Sequence, residues 1–190
     1  MEDIIKAQLI ESAELKIKLA EQSAKIIYEA AMMCVDAMKR NGKIMFCGNG
    51  GSAADSQHLA TELVVRLTGK FDRPALPGLA LAANAATLTA CANDYGFEQV
   101  FARQIEAFGK SGDILFAIST SGNSANVIEA VKTARKMKIH TIGFLGGNGG
   151  QLSALADKPI IIPSDCVQRI QESHITIGHI IIGIIEKEAF

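Results

Sequence analysis

The sequence predicts an α/β protein built on a doubly wound, five-stranded parallel sheet flanked by helices. Two observations carry this. Five short runs of strand length, apolar throughout, alternate with stretches of helical periodicity, which is the pattern of strands buried on both faces. Three of these runs end in segments rich in Gly, Ser, Thr and Asn, at 48–52, 119–124 and 146–150. Right-handed crossovers place such loops along one sheet edge, outside the carboxyl ends of the strands, where ligands bind in open α/β sheets.

The elements follow in order. Residues 1–40 contain neither Gly nor Pro, and Ile5, Leu9, Leu15, Leu19, Ile26, Ala30 and Met33 recur at helical spacing up to the stop at Asn41-Gly42. A strand at 43–47 leads through a glycine turn into a helix at 52–66. A weaker strand at 79–82 precedes a helix that runs through Ala92. The strand at 114–118 is strong and feeds a helix ending near Lys136; strands at 141–145 and 159–162 follow, then a helix from about Val167. All 190 residues read as one domain, with 1–40 a helical segment.

Composition narrows the function. With 19 Lys+Arg against 20 Asp+Glu and a formal net charge of -1, the chain has no basic footprint for nucleic acid or an anionic membrane. The four cysteines are scattered without a C-x-x-C pair, and the start of the chain has no secretory pattern, so a reduced, cytoplasmic protein is expected. One segment stands out: residues 175–185, ITIGHIIIGII, closed by Glu186, Lys187 and Glu188. It falls short of the roughly 20 residues that span a bilayer. An all-round apolar helix is a buried one, so the expectation is cover from its own sheet on one side and from another subunit on the other.

The loops indicate a small anionic ligand. Residues 48–53 fit G-x-G-x-x-A, but the next strand ends in Ala82-Ala83-Asn84 with no carboxylate for a ribose, and no Lys follows the glycines as a Walker A loop needs. The Ser119-Thr120-Ser121-Gly122-Asn123-Ser124 loop gathers four hydroxyls at a helix start, a cradle for phosphate; the plainer reading is capping by Ser121 or Ser124. His58 and Glu62 lie four apart on one helix face, suited to proton transfer, to a metal, or merely to a solvated contact. On the apolar last helix His179 would be costly to bury unpartnered, and His174 faces elsewhere. His140 opens a strand and Cys47 closes one, and both read as structural.

Taken together, Cys47-Gly48-Asn49-Gly50-Gly51-Ser52, the His58/Glu62 pair, Asn93-Asp94-Tyr95-Gly96-Phe97, the 119–124 loop, and Arg169-Ile170-Gln171-Glu172 with His174 and His179 resemble the bacterial phosphoheptose isomerases of the sugar isomerase (SIS) domain superfamily. The resemblance runs over nearly the whole chain. It implies a flavodoxin-like SIS fold and an aldose-ketose isomerase that converts sedoheptulose 7-phosphate to D-glycero-D-manno-heptose 7-phosphate for surface polysaccharide synthesis. It implies Glu62 as general base and His179 as general acid. Substrate contacts are implied for Asn49, Gly50, Gly51, Ser52, Glu62, Arg66, Asn93, Asp94, Ser119, Thr120, Ser121, Ser124 and Gln171, and one zinc ion per subunit on His58, Glu62, Gln171 and His179. It further implies a homotetramer whose sites lie between subunits, with the 1–40 helical segment packing in the oligomer.

The chain departs from the family pattern at Val64-Val65 before Arg66, where many members have Thr-Gly, and at Asn84 and Gln168, where relatives carry Asp. These positions bear on sugar preference. Two other functions stay open at this stage: a catalytically silent SIS-domain scaffold like the protein that associates with the replication initiator, which lacks the Glu/His pair, and an isomerase of another sugar phosphate.

Overall fold

In the computed structural model the described residues are 1–69 and 72–189. Strands β1 (Ile44–Gly48), β2 (Gly78–Ala80), β3 (Ile114–Ser119), β4 (His140–Gly146) and β5 (Lys158–Ile162) form one parallel sheet in the order β2-β1-β3-β4-β5. The order reverses between β1 and β3, so a crevice opens beyond their carboxyl ends. Ile44 pairs with Ile114 and Gly48 with Ile118, which brings the loops leaving β1 and β3 side by side at that point.

The central strands are buried on both faces, and successive side chains alternate between two cores. Ile44, Phe46, Ile114, Phe116, Ile118, Ile142 and Phe144 point to a core shared with α1 (Glu2–Lys39), α2 (Gly51–Val64) and α7 (Val167–Glu188). Met45, Cys47, Leu115, Ala117 and Leu145 point the other way, under α3 (Ala85–Tyr95), α4 (Ala102–Phe108), α5 (Ala125–Lys136) and the single turn α6 (Leu152–Leu155). Phe46, Phe116 and Phe144 form an aromatic row with centroids 5.0 and 5.2 Å apart, extended by the His174 ring 5.5 Å from Phe144. The two halves of the doubly wound fold are thus each sealed by one set of strand side chains.

Helix α1 is 38 residues long, about 57 Å at 1.5 Å per residue. It closes with Asn41 in the left-handed region (φ 58°) and the Gly42 amide bonded back to Ala37 O at 2.8 Å. Its buried residues begin at Leu19. The apolar run in α7 is covered on one face only within the chain: Ile177, Ile181, Ile182 and Ile185 are buried, and Ile180 is 47% exposed. No helix among the described residues is long and apolar enough to cross a membrane.

Some boundaries differ from the sequence reading. Helix α2 ends at Val64 rather than Arg66, and the weak strand is only Gly78–Ala80. Gly96, at φ 94°, stops α3, and the chain then makes a 3-10 turn (Phe97–Gln99) and α4, which the sequence reading did not anticipate. Their apolar anchors Val100, Phe101 and Ile105 are buried, but in elements too short to establish a period. Asn84, one of the departures from the family pattern, caps α3 by accepting from the Thr87 amide at 3.1 Å. Asn and Asp cap helices about equally well.

Candidate active site

The first loop turns through Gly50 (φ 55°), and α2 starts at Gly51. A side chain at Gly51 would collide with the Gln171 amide from α7, so Gln171 lies directly over the start of α2. Asn49 is held by a reciprocal amide pair with Asn126 on α5, at 2.9 and 2.8 Å. Asn126 is 2% exposed and was not singled out in the sequence; its signal is a first-turn Asn two residues after the hydroxyl loop. The pair locks the β1 loop to the helix that follows the β3 loop.

In the β3 loop the hydroxyls of Ser119 and Ser124 are 2.9 Å apart. Ser124 occupies the N-cap position of α5, yet its side chain caps nothing. The Ser121 hydroxyl accepts from the Asn123 amide at 3.2 Å within the loop. Plain capping therefore does not account for these hydroxyls. The unpartnered N–H groups of the α5 start share the turn with them, a donor-rich setting for an anion.

The third glycine loop is a buttress. The Leu152 amide donates to Gly122 O at 3.0 Å, and the Gln151 amide to Asn123 Oδ1 at 3.1 Å. A side chain at Gly122 would strike the Gly149 carbonyl, and one at Gly150 would sit 2.6 Å from Ser121 O. Glycines at 122 and 150 thus let the β4 loop press against the hydroxyl loop and fix its shape. A cavity of about 380 Å³ lies beside this contact, lined by Thr120, Ser121, Gly147, Asn148 and Asp165.

Farther along α2, His58 Nε2 stands 2.8 Å from His179 Nε2 of α7 and 3.5 Å from Glu62 Oε1. The three ligand atoms all lie within 4.8 Å of one another. Two imidazoles and a carboxylate with a face open to solvent offer three ligand atoms to a metal ion and leave a further position free. Burial and the neighbouring His58 hold His179 below the usual histidine pKa, and Glu62 opposes them. A low pKa keeps an imidazole neutral, the form that binds metal or shuttles a proton. Asp55, one turn before His58, is half-buried, and its Oδ2 has no partner among the described residues; burial raises its carboxyl pKa against the pull of His58.

The other site residues inferred from the sequence are placed as follows. Ser52 is buried in the first turn of α2. Arg66 is exposed just past the end of that helix, beyond the exposed Val64 and Val65. Asn93 and Asp94 are exposed near the end of α3 and bonded to each other at 2.8 Å. Within one chain Gln171 is not brought to the His58/Glu62/His179 cluster, because it lies at Gly51, seven residues up α2 from His58, about 10 Å along the axis. His174 is buried elsewhere, with Nε2 3.2 Å from Leu145 O, and burial depresses its pKa to about 4.

A phosphate-type cradle at the switch point of a parallel sheet, next to a histidine and carboxylate cluster, defines the class: residues 9–146 match the SIS domain family. The curated relatives narrow it further. The phosphoheptose isomerase of Pelodictyon phaeoclathratiforme is 48% identical over 187 residues, covering 98% of this chain and 89% of that one. That of Clostridium acetobutylicum is 47% identical over 192 residues, covering 100% and 97%. The solved phosphoheptose isomerase of Neisseria gonorrhoeae superposes with a TM-score of 0.90 at 39% identity, covering 98% of each chain. That of Francisella tularensis gives a TM-score of 0.93 at 37% identity and 97% coverage of each. This chain belongs to the phosphoheptose isomerase family.

Proposed function

We propose that the protein is an aldose-ketose isomerase that interconverts sedoheptulose 7-phosphate and D-glycero-D-manno-heptose 7-phosphate, the heptose precursor of surface polysaccharide. The observation that carries this reading is the convergence of Glu62 with His179 and His58 across two helices. A silent scaffold has no use for that cluster. Ser119, Thr120, Ser121 and Ser124 hold the phosphate, with Asn49, Gly50, Gly51, Ser52 and Gln171 around the sugar end of the crevice.

Moving the carbonyl from C2 to C1 takes a proton from C1 and returns one to C2. Glu62 removes the C1 proton while His179 protonates O2, which leaves a cis-enediol. His179 then takes the O1 proton as Glu62 returns its proton to C2, and the C1 aldehyde forms. A carboxylate base and an imidazole acid in a partly closed site are matched to this exchange. A zinc ion on His58, Glu62 and His179 fits the donor set, and when bound it supplies Lewis-acid polarisation of the reacting oxygens.

The reading includes a homotetramer built from a single domain of residues 1–190, with α1 and α7 at the subunit contacts. Its support is the apolar face of α1 that the chain leaves exposed, at Ile5, Leu9, Ile10 and Ile17, and an apolar groove of about 280 Å³ between α1 and α7. In that assembly the exposed Arg66, Asn93 and Asp94 are available to a neighbouring site. Four free thiols fit a reducing cytoplasm.

The test is incubation with sedoheptulose 7-phosphate and detection of the aldose. Glu62→Gln and His179→Gln are each expected to lower kcat at least about 10³-fold while secondary structure and oligomer size stay those of the wild type. Wild-type-like turnover in either variant sinks the assignment.

A further inference from the structure

Arg73, in the segment before β2, reaches both α2 and α7. Its Nη2 donates to the carbonyl of Glu62 at 2.8 Å, its Nη1 to the carbonyls of Leu63 and Pro74 at 2.8 and 3.0 Å, and its Nε to Glu186 Oε1 on α7 at 2.9 Å. The same Glu186 oxygen accepts from the Leu67 amide at 2.9 Å, one residue past Arg66. The two charged side chains are 3% and 2% exposed.

A buried ion pair gains little net stability, because desolvation offsets the attraction. What this pair fixes is geometry. The last carbonyls of a helix have no intrahelical partner, and here the carbonyls of Glu62 and Leu63 receive a planar guanidinium whose remaining edge is tied to α7. Glu186 lies seven residues beyond His179, two turns farther along the helix that carries it. The contact therefore joins, through one rigid fork, the backbone of the proposed base to the helix bearing the proposed acid.

We propose that Arg73 and Glu186 are positioning residues: they set the axial place and rotation of the last turn of α2 against α7, and so hold the Glu62 carboxylate in register with His179. This rests on the isomerase reading of Glu62 and His179. The pair acts through the Glu62 main chain and through the Leu67 amide, and it touches no substrate.

Two variants test it. Arg73→Lys keeps the charge opposite Glu186 but lacks the planar fork that reaches both helix carbonyls and the carboxylate. Arg73→Met combined with Glu186→Met removes both charges without leaving one buried alone, so folding is retained. Steady-state kinetics with sedoheptulose 7-phosphate are expected to give kcat lowered about 10- to 100-fold in both variants, the cost of displacing a reacting group by about 1 Å. KM stays within about threefold, and the loss does not follow Tm across the variants, as a merely structural strap would require. A kcat within about twofold of wild type in either folded variant overturns the inference; if the double variant does not fold, Arg73→Lys decides alone. A wild type that fails to isomerise sedoheptulose 7-phosphate refutes the isomerase reading instead. Cobalt(II) titration followed by its visible absorption then decides: Arg73→Lys is expected to weaken binding about tenfold, and unchanged affinity overturns the inference.

Discussion

His174 makes the stability of this fold depend on pH through one side chain, and the size of the effect follows from its surroundings. The ring is fully buried against Phe144; Nε2 donates to Leu145 O at 3.2 Å and Nδ1 has no partner among the described residues. Burial lowers its pKa from 6.5 to about 4, against the opposing pull of the carbonyl. Between those values the unfolded chain binds a proton that the folded chain refuses, so stability rises with pH across that window. The contribution is fully present above pH 6.5 and is lost as pH falls toward 4. Integrated over the window it amounts to about 3 kcal/mol, of which about 2 kcal/mol is gone by about pH 5. The perturbation is His174→Gln, which keeps an N–H for the carbonyl and removes the titration. Urea unfolding at about pH 7.5 and pH 5, at one fixed protein concentration because assembly shifts apparent stability, gives the difference of differences. The wild type is expected to lose about 2 kcal/mol more than the variant. Carboxylates elsewhere titrate in both proteins and cancel. Equal losses, within about 0.5 kcal/mol, refute the view that His174 is held neutral by burial.

Gly51→Ala drives a methyl group into the Gln171 amide. At a helix start Ala costs nothing against Gly, so Tm is expected to hold while kcat/KM falls about tenfold as Gln171 is displaced; unchanged kinetics would remove Gln171 from the site. Zinc binding by calorimetry is expected to show one ion per chain, weakened at least about tenfold by His58→Ala, and equal affinity in that variant would remove the metal from the His58/Glu62/His179 cluster.

The layered fold was legible because it is written in periodicity. Runs such as Ile114 to Ile118 are apolar at every position, and only a sheet covered on both faces uses such a run at that length. The hydroxyl loop stood out for a related reason: four hydroxyls in one turn exceed what capping needs, and Ser124 at the N-cap makes no capping bond. What escaped notice depends on partners distant in sequence. Asn126 looks like any first-turn Asn until it is found paired with Asn49, 77 residues away. Arg73 and Glu186 look like surface charges in a polar loop and a polar helix end, and only the fold brings them together and buries them. The 146–150 glycines carry the composition of a ligand loop, and in the fold Gly146 and Gly150 pack closely on the backbone of the hydroxyl loop. Composition specifies that a backbone approaches something closely; it does not specify what.

The cluster itself depends on how α2 and α7 are registered. Gly51 meets Gln171, His58 meets His179 and Leu59 meets Gly178, so the offset between the helices stays near 120 residues and they run parallel, each starting from the carboxyl edge of the sheet. At the crossing, a side chain at Gly178 would lie 2.6 Å from Leu59 Cδ2, and Leu59 is itself buried with little room to retreat. Gly178 therefore sets the closest approach of the two helices, and the residue after it is His179. In an apolar helix, where each of Leu, Ile and Ala has higher helix propensity, a glycine immediately before the single histidine of the run is unfavourable locally. It is accounted for by the 2.8 Å separation of the two imidazoles, which a wider helix spacing would not allow. The hydrophobic run thus has two assignments in one sequence: the isoleucines at 177, 181, 182 and 185 bind the helix to its own core, and the Gly-His step sets the distance between the two imidazoles.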